Sequence, residues 1–280
     1  TITGSLDSPD EGSPIISALT IPGGSTAGYG WRVDDAQYAA FNMPFNSTAT
    51  QIDLSGNSNN GTVSGATFLT SGCKVGTCFS FDGTSDSIAI PNHATLNPTS
   101  QISFGLWMKP TANAFVYYTA LVKPFIGSIG GNEQYFVSHD RTIGKIATGI
   151  KAGGTMAYAN SVTNWSAVQN TWTHVFATYD GTALRIYVNG LLEATTPKTG
   201  ALNTDTDVLS IGGNNGAYVS FVGSLDEVQI YPRALSHAQV KQLYDNGVAG
   251  VGGPTRISAQ DHSSGETWDL IATEFLSDGT

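Results

Sequence analysis

The sequence predicts an all-β protein that folds as a two-sheet antiparallel β-sandwich, with one short helix near its C-terminal end. Three observations support this fold class. Short segments alternate apolar and polar residues with a period of two, which is typical of strands with one buried face. Gly, Asn, Asp and Pro separate these segments and predict turns. Hydrophobic residues make up 40% of the 280 residues, so the chain can bury a large core.

The strongest alternation lies in segments 102–107, 174–178 and 184–189, each of which predicts a strand. Asn189–Gly190 predicts a tight hairpin turn, because such turns need the positive φ that Asn and Gly adopt most readily. Segment 220–231 predicts another long strand.

One segment departs from this pattern and predicts a helix of about two turns. Ser236 is a good N-cap, and Gln239 stands three residues later, where it completes a capping box. Apolar residues at 240, 243 and 244 share one helical face. Asn246–Gly247 predicts the end of the helix.

The chain divides into three parts: an N-terminal extension at 1–40, a regular β region at 41–250, and a C-terminal extension at 251–280. The last part begins with a Gly/Pro-rich joint. Both extensions contain hydrophobic, strand-like stretches, among them 267–272. We therefore expect both ends to dock, either back onto the chain's own sandwich, where they close its edges, or onto the sheet edge of a neighbouring molecule.

Charge and composition indicate a secreted or cell-surface protein. The net charge is −10, and the 12 cationic residues form no stripe, which argues against nucleic acid as a partner. No apolar run approaches the roughly 20 residues of a transmembrane helix. The chain begins with Thr1 and shows no signal peptide, so a processed secreted chain and an arbitrary boundary both fit.

The two cysteines, Cys73 and Cys78, predict a disulfide that closes a small loop. An even cysteine count in a chain of this composition is typical of an oxidising compartment. The spacing is a poor zinc signature, because no histidine lies near it before His93. Two inert thiols are the alternative.

Five ordered motifs resemble the LamG-like branch of the concanavalin A-like lectin/glucanase superfamily. They are FSFDGTSDSIAIPN at 79–92, ISFGLWMKP at 102–110, TWTHVFATYDGTALRIYVNG at 171–190, LSIGG at 209–213 and FVGSLDEVQIYPRALSHAQVKQLYDNG at 221–247. The resemblance implies a jelly-roll sandwich. It says little about function, because one fold hosts many functions.

We predict no catalytic residues. Glucanases of this superfamily place two acids at i and i+2 on one strand, so that both carboxylates face the same cleft. The glutamates of this chain form no such pair, and on a regular strand the adjacent Asp226 and Glu227 would face opposite ways. The motifs of alginate-lyase-like members are also absent. We interpret His174 as a packed structural histidine.

The resemblance also implies a structural calcium ion that joins early and late strands, with Asp53, Asn57 and Asp226 as ligands. Asp53 and Asn57 belong to a loop dense in the short oxygen-bearing side chains that suit calcium. Relatives commonly have Phe-Asp-Glu where this chain has Phe45–Asn46–Ser47, so one acid is missing. The alternative is that these residues only stabilise turns.

Carbohydrate binding requires aromatic rings that stack on sugars beside groups that bond their hydroxyls. Tyr158, Trp165, Tyr218 and Asn214 are the predicted ligand-binding residues, because they occur in segments that we expect to be irregular loops. Packing of these loops is the alternative role, since aromatic side chains usually bury.

Three sequons predict possible N-glycosylation at Asn46, Asn60 and Asn164. A sugar on Asn164 would lie over Trp165 and oppose a role for that ring in ligand binding.

The function predicted from the sequence is a non-catalytic extracellular recognition or adhesion module that binds a glycan or a surface protein. The first alternative is a structural subunit of a surface layer or filament, which self-assembles through residues 1–40 and 255–280 by strand addition. A polysaccharide-active enzyme is the third hypothesis.

Overall fold

The computed structural model describes residues 39–45, 47–111, 119–123, 133–213 and 220–250 in full, and the backbone of four further short strands. In chain order the strands are β1 (Leu19–Thr20), β2 (Thr26–Ala27), β3 (Phe41–Met43), β4 (Thr50–Gln51), β5 (Gly61–Ser64), β6 (Thr67–Leu69), β7 (Cys78–Asp82), β8 (Ser87–Ile90), β9 (Ile102–Pro110), β10 (Thr119–Lys123), β11 (Tyr135–Asp140), β12 (Lys145–Ala152), β13 (Thr155–Asn164), β14 (Thr173–Tyr179), β15 (Ala183–Val188), β16 (Leu191–Pro197), β17 (Leu209–Ile211), β18 (Val222–Tyr231), β19 (Thr255–Gln260) and β20 (Thr267–Ala272).

Two antiparallel sheets of eight strands each form the sandwich, which confirms the predicted fold class. The first sheet has the order β16-β15-β14-β9-β18-β7-β6, and β3 also pairs with β18. The second sheet has the order β13-β12-β11-β10-β17-β8-β5-β4. Neighbouring strands in these orders are often distant in sequence, as a jelly-roll topology requires.

The core lies between the sheets and is built by alternation along the strands. In β9, Ile102, Phe104 and Leu106 point into the core, and Trp107 lies on the outer face. The turn at Asn189–Gly190 joins β15 to β16, with φ of 50° and 75°, and confirms the predicted hairpin.

Helix α2 (His237–Val248) packs on the outer face of the first sheet. Its capping box at Ser236 and Gln239 confirms the predicted start. The predicted end at Asn246–Gly247 is wrong, because the helix continues to Val248 and spans 12 residues. Gly247 has a packing role instead: a Cβ there would lie 2.4 Å from Nε1 of Trp107.

Two short helical segments were not predicted. A single 3₁₀ turn covers Ala94–Leu96, and α1 (Trp165–Val168) connects β13 to β14. In the described part of the chain, no helix has the length and apolar character needed to cross a membrane.

The strands in the two extensions pair only locally among the described residues. β1 pairs with β2, and β19 pairs with β20 in a two-stranded sheet of its own. The predicted strand at 267–272 is present as β20. Apart from residues 39 and 40, the remainder of both extensions lies outside the described residues.

Candidate functional site

The outer face of the second sheet carries a row of residues that crosses all eight strands. These residues point outward because their chain neighbours, such as Tyr135 and Ile211, lie in the core. Strand register pairs each residue of the row with the next: Tyr158, Gly149, Phe136, Val122, Ser210, Ala89, Thr62 and Thr50. We call this strip the cross-sheet row.

Phe136 and Tyr158 form the aromatic end of the cross-sheet row. Their ring centroids are 6.0 Å apart. Gly149 lies between them, and a Cβ on Gly149 would lie 2.3 Å from the Phe136 ring. Glycine at this position therefore lets the Phe136 ring lie flat over β12. Phe136 is buried, whereas Tyr158 is 43% exposed, so Tyr158 offers a ring to a ligand.

Two amide side chains flank this aromatic pair at the next outward positions along the chain. Gln134 lies directly before β11, two residues ahead of Phe136, and Asn160 follows Tyr158 along β13. Both amide atoms of Gln134, and Oδ1 of Asn160, are buried without a hydrogen-bond partner among the described residues. An unsatisfied buried polar group costs about 1–3 kcal/mol. Gln134 is 2% exposed and lies beneath the surface, whereas Asn160 is half-buried and lies beside Tyr158 on the outer face of β13.

The phenol of Tyr158 stays protonated at neutral pH. Partial burial raises its pKa above the ordinary value, and the negative charge of Glu133 raises it further. Tyr158 can therefore donate a hydrogen bond as well as stack.

Side chains of the first sheet hold β13 in place. Thr196 Oγ1 donates to the main-chain carbonyl of Tyr158 at 2.8 Å, and the Thr163 N–H donates to Glu193 at 2.9 Å. These bonds join the edge strand β13 to the edge strand β16 and fix the backbone that carries Tyr158.

The structure changes the role of one predicted ligand-binding residue. Trp165 lies in α1 with 1% of its surface exposed, and its ring packs 4.4 Å from His139 and 6.5 Å from Phe221. The prediction that Trp165 stacks on a sugar is therefore wrong, and loop packing is its role. Tyr158 lies in a strand instead of a loop. Tyr218 and Asn214 lie outside the described residues.

Asp53, a predicted calcium ligand, organises its own loop. Its carboxylate accepts from the main-chain N–H groups of Asn42, Ser55 and Asn59 at 2.9–3.0 Å, and from the Ser55 hydroxyl at 2.7 Å. Asn57 donates its side-chain amide to the carbonyl of Ala40 at 3.1 Å. These contacts stabilise the turn, which is the role predicted as the alternative to calcium binding.

Asp226, the third predicted ligand, bonds to a different segment. Its Oδ2 accepts from the main-chain N–H groups of Lys74 and Val75 at 3.0 and 2.9 Å. Both donors lie inside the loop closed by the predicted disulfide between Cys73 and Cys78, which the structure contains. Among the described residues, no three His, Cys, Asp or Glu side chains converge in a way that could hold a metal ion.

Asp226 and Glu227 interact more closely than regular strand alternation allows. Glu227 has a φ of 50°, and the register between β18 and β9 shifts between Asp226 and Gln229. Burial raises the pKa of Asp226 well above its ordinary value, and the charge of Glu227 raises it further. Both side chains are at most 5% exposed, so this pair faces no substrate.

The sequons differ in their surroundings. Asn164 is exposed and makes no side-chain capping bond to α1, whereas Oδ1 of Asn60 accepts from the main-chain N–H of Asp53 at 2.9 Å. Asn46 lies outside the described residues. Glycosylation stays a prediction at all three positions.

Sequence reasoning missed Phe136, Gly149, Gln134 and Asn160. The alternation of Met156, Tyr158 and Asn160 with small buried alanines was a usable signal for β13. The residues that β11 and β12 contribute to the site are brought there by pairing between strands, and no single segment of sequence displays that pairing.

The sequence matches a known protein family. A family model described as the concanavalin A-like lectin/glucanases superfamily matches residues 82–241. No curated protein matches the sequence.

Several solved structures share the fold. The binding domain of Paraclostridial Mosquitocidal Protein 1 aligns over 84% of this chain with a TM-score of 0.61 and 17% identity. The binding domain of botulinum neurotoxin serotype G aligns over 74%, with a TM-score of 0.56 and 17% identity. This chain spans only 63% and 50% of those two domains.

Domain 4 of AbnA, an extracellular arabinanase from Geobacillus stearothermophilus solved with arabinotriose, aligns over its whole length and 75% of this chain. Its TM-score is 0.54 and its identity is 20%. At these identities the likeness to solved structures shows the fold alone. The family model, in contrast, covers more than half of the sequence, and the chain belongs to the concanavalin A-like lectin/glucanases superfamily.

Proposed function

We propose that this chain is a non-catalytic binding module and that its ligand lies on the cross-sheet row around Tyr158. One observation carries the proposal: the half-exposed ring of Tyr158, supported by Phe136, shares one face with the half-buried amide of Asn160. Aromatic rings and hydrogen-bonding groups that converge in this way are typical of ligand sites. The buried Asp226–Glu227 pair offers no competing catalytic site.

The ligand class that fits best is a carbohydrate. A sugar has an apolar ring face that can stack on Tyr158, and its hydroxyls both donate and accept, as the half-buried amide of Asn160 requires. The arabinotriose complex of the AbnA domain supports this class by analogy of fold only. A glycan carried on a surface protein would present the same chemistry and would make the module an adhesion domain.

The disulfide supports an extracellular location, because disulfides persist in oxidising compartments. The acidic, charge-poor composition agrees with such a location. A direct check is the location of the protein in fractionated cells of its natural source.

A glycan array with matched variants tests the proposal. Tyr158→Ala and Asn160→Ala should each weaken the strongest signal about tenfold, which corresponds to about 1.4 kcal/mol. Val162→Ala is the control, because Val162 lies on the same strand with 70% exposure and outside the aromatic pair. Equal binding by wild type and Tyr158→Ala would contradict the proposed face. A complete absence of glycan signals would contradict the ligand class.

A second candidate function is a structural subunit that self-assembles through its extensions. One observation favours it: within the part of the chain that the structure describes, β19 and β20 pair with each other and with no further strand, and an isolated two-stranded sheet is marginally stable in water. Such a hairpin gains stability by adding to another sheet edge. Light scattering at rising concentration should show growth for the full chain and none for a chain that ends at residue 250.

A structural calcium ion stays a prediction of the resemblance. The carboxylates of Asp53 and Asp226 point at main-chain N–H donors, which leaves few free lone pairs for a metal. Calcium bound there should raise the melting temperature above the value in chelator. Equal melting temperatures would exclude the site.

A further inference from the structure

Lys123 has a side chain that is completely buried at the end of β10. Its Nζ lies 2.8 Å from Oδ1 of Asn92, 2.7 Å from the carbonyl oxygen of Asp207 and 3.3 Å from Oδ1 of Asp205. Lysine is rarely buried this fully, because its charge is costly to remove from water. The amine therefore lies in fixed contact with a side-chain amide and a carboxylate.

The amide of Asn92 is polarised by a second donor. Asn97 Nδ2 donates to the same Oδ1 at 2.8 Å, and the Asn97 amide is itself held by the His93 carbonyl at 3.0 Å. Two donors on one carbonyl oxygen withdraw electron density from Cγ. Asn97 Nδ2 also lies where negative charge would develop if the lysine amine attacked that carbon.

Asp205 is placed to exchange protons with the amine. Its Oδ1 contacts Lys123, and the Asp207 N–H donates to the same oxygen at 2.8 Å. Its Oδ2 is buried without a hydrogen-bond partner among the described residues and can take up a proton. Burial lowers the pKa of Lys123, which favours the neutral amine, although the charge of Asp205 acts in the opposite direction.

We propose that Lys123 and Asn92 join in an intramolecular isopeptide bond. The ammonium of Lys123 gives a proton to the Asp205 carboxylate, and the neutral Nζ attacks Cγ of Asn92. The Nζ–Cγ bond forms, and Asn97 stabilises the oxyanion. Asp205 then passes its proton to Nδ2, the Cγ–Nδ2 bond breaks, and ammonia leaves. The new amide nitrogen gives its second hydrogen to the Asp205 carboxylate, which releases it to the departing ammonia as ammonium. The reaction needs no oxidant or cofactor, because it exchanges one amide for another.

The bond would connect two strands of the second sheet that are not adjacent to each other. Asn92 follows β8 and Lys123 ends β10, and β17 lies between these strands in the sheet. The cross-link would therefore fasten three neighbouring strands at one end. Such a covalent link resists local opening under load or proteolysis, and it is independent of the ligand-binding proposal.

Intact mass spectrometry of the full chain tests this proposal without any variant. The measured mass, after reduction of the disulfide, should be lower than the sequence mass by one ammonia. Proteolysis should release a branched peptide that joins the segments around Asn92 and Lys123. Lys123→Met and Asn92→Ala should each restore the sequence mass.

Each other outcome contradicts the assignment. A folded wild-type chain at its full sequence mass would overturn the bond. Loss of one water would make Asp205 the acceptor in place of Asn92. Loss of ammonia that persists in Lys123→Met would show cyclisation of an asparagine with its own backbone. Asp205→Asn should slow the loss of ammonia in freshly folded protein, and an unchanged rate would remove Asp205 from the mechanism.

Discussion

The carboxylate of Asp226 accepts a hydrogen bond from the main-chain N–H of Lys74 at 3.0 Å, across 152 residues of sequence. A second bond from Val75 and a third from Glu227 use the same carboxylate. Asp226 lies in β18, and Lys74 lies in the loop that the disulfide closes. This contact therefore ties the loop to the sheet.

Asp226→Asn should destabilise the protein by about 1–3 kcal/mol, because an amide offers one acceptor oxygen where the carboxylate serves donors on both oxygens. Chemical denaturation measures the change in the free energy of unfolding. Asp245→Asn is the control, because Asp245 forms an exposed pair with Lys241 that contributes little. Equal losses for the two variants would contradict the role of Asp226.

The contributions of the disulfide and of Asp226 to the free energy of unfolding should be coupled. Replacing both Cys73 and Cys78 by Ser should cost about 2 kcal/mol for a loop of this size. Because the loop then no longer holds its N–H groups in place, Asp226→Asn should cost less in that background. Strict additivity in the double-mutant cycle would show that the two features are independent.

Gly247→Ala should destabilise the protein, although alanine normally favours a helix over glycine by about 1 kcal/mol. The added Cβ would lie 2.4 Å from Nε1 of Trp107, so α2 must move away from the sheet. Overpacking of this kind costs about 1–3 kcal/mol. Thermal unfolding measures it, with the exposed Val248→Ala as the control. A stabilised Gly247→Ala would refute the packing role.

His174 should make folding sensitive to acid. Burial lowers its pKa to about 3, and the charge of Lys74 contributes to this shift. Its ring packs against Trp107 and Phe176, with Tyr244 of α2 above. Because the unfolded chain takes up a proton near pH 6.5 and the folded chain does not, stability falls as the pH drops from about 6.5 to about 3.

His174→Phe should remove this contribution, which amounts to at most about 1.4 kcal/mol per pH unit. Denaturation at a series of pH values gives the difference between the variant and wild type. The difference is the useful quantity, because the raised pKa of Asp226 stabilises the folded state in acid and is common to both proteins. Parallel pH profiles for the two proteins would contradict the assignment.

Local patterns predicted the fold well, because each strand displays its own buried face. The hairpin at Asn189–Gly190 and the capping box at Ser236 depend only on neighbouring residues, and both are present. The predicted end of α2 was wrong because Gly247 packs against Trp107, a residue 140 positions earlier in the sequence. Tertiary packing overrides a local stop signal in such a case.

The candidate site was harder to predict for the same reason. Composition alone cannot distinguish the buried ring of Trp165 from the exposed ring of Tyr158. Phe136 and Gly149 became relevant only when the register placed them beside Tyr158. The bulge at Glu227 also breaks the alternation on which strand arguments depend.

Hydroxyl-radical footprinting with and without the best glycan from the array is the most direct test of ligand binding at the cross-sheet row, because it reports side-chain exposure. Ligand bound there should lower the oxidation of Tyr158 and of Met156, its neighbour on the same outer face of β13. Tyr244, on the first sheet's helix, should be unchanged. Protection of Tyr244 with no change at Tyr158 would show that the ligand binds elsewhere.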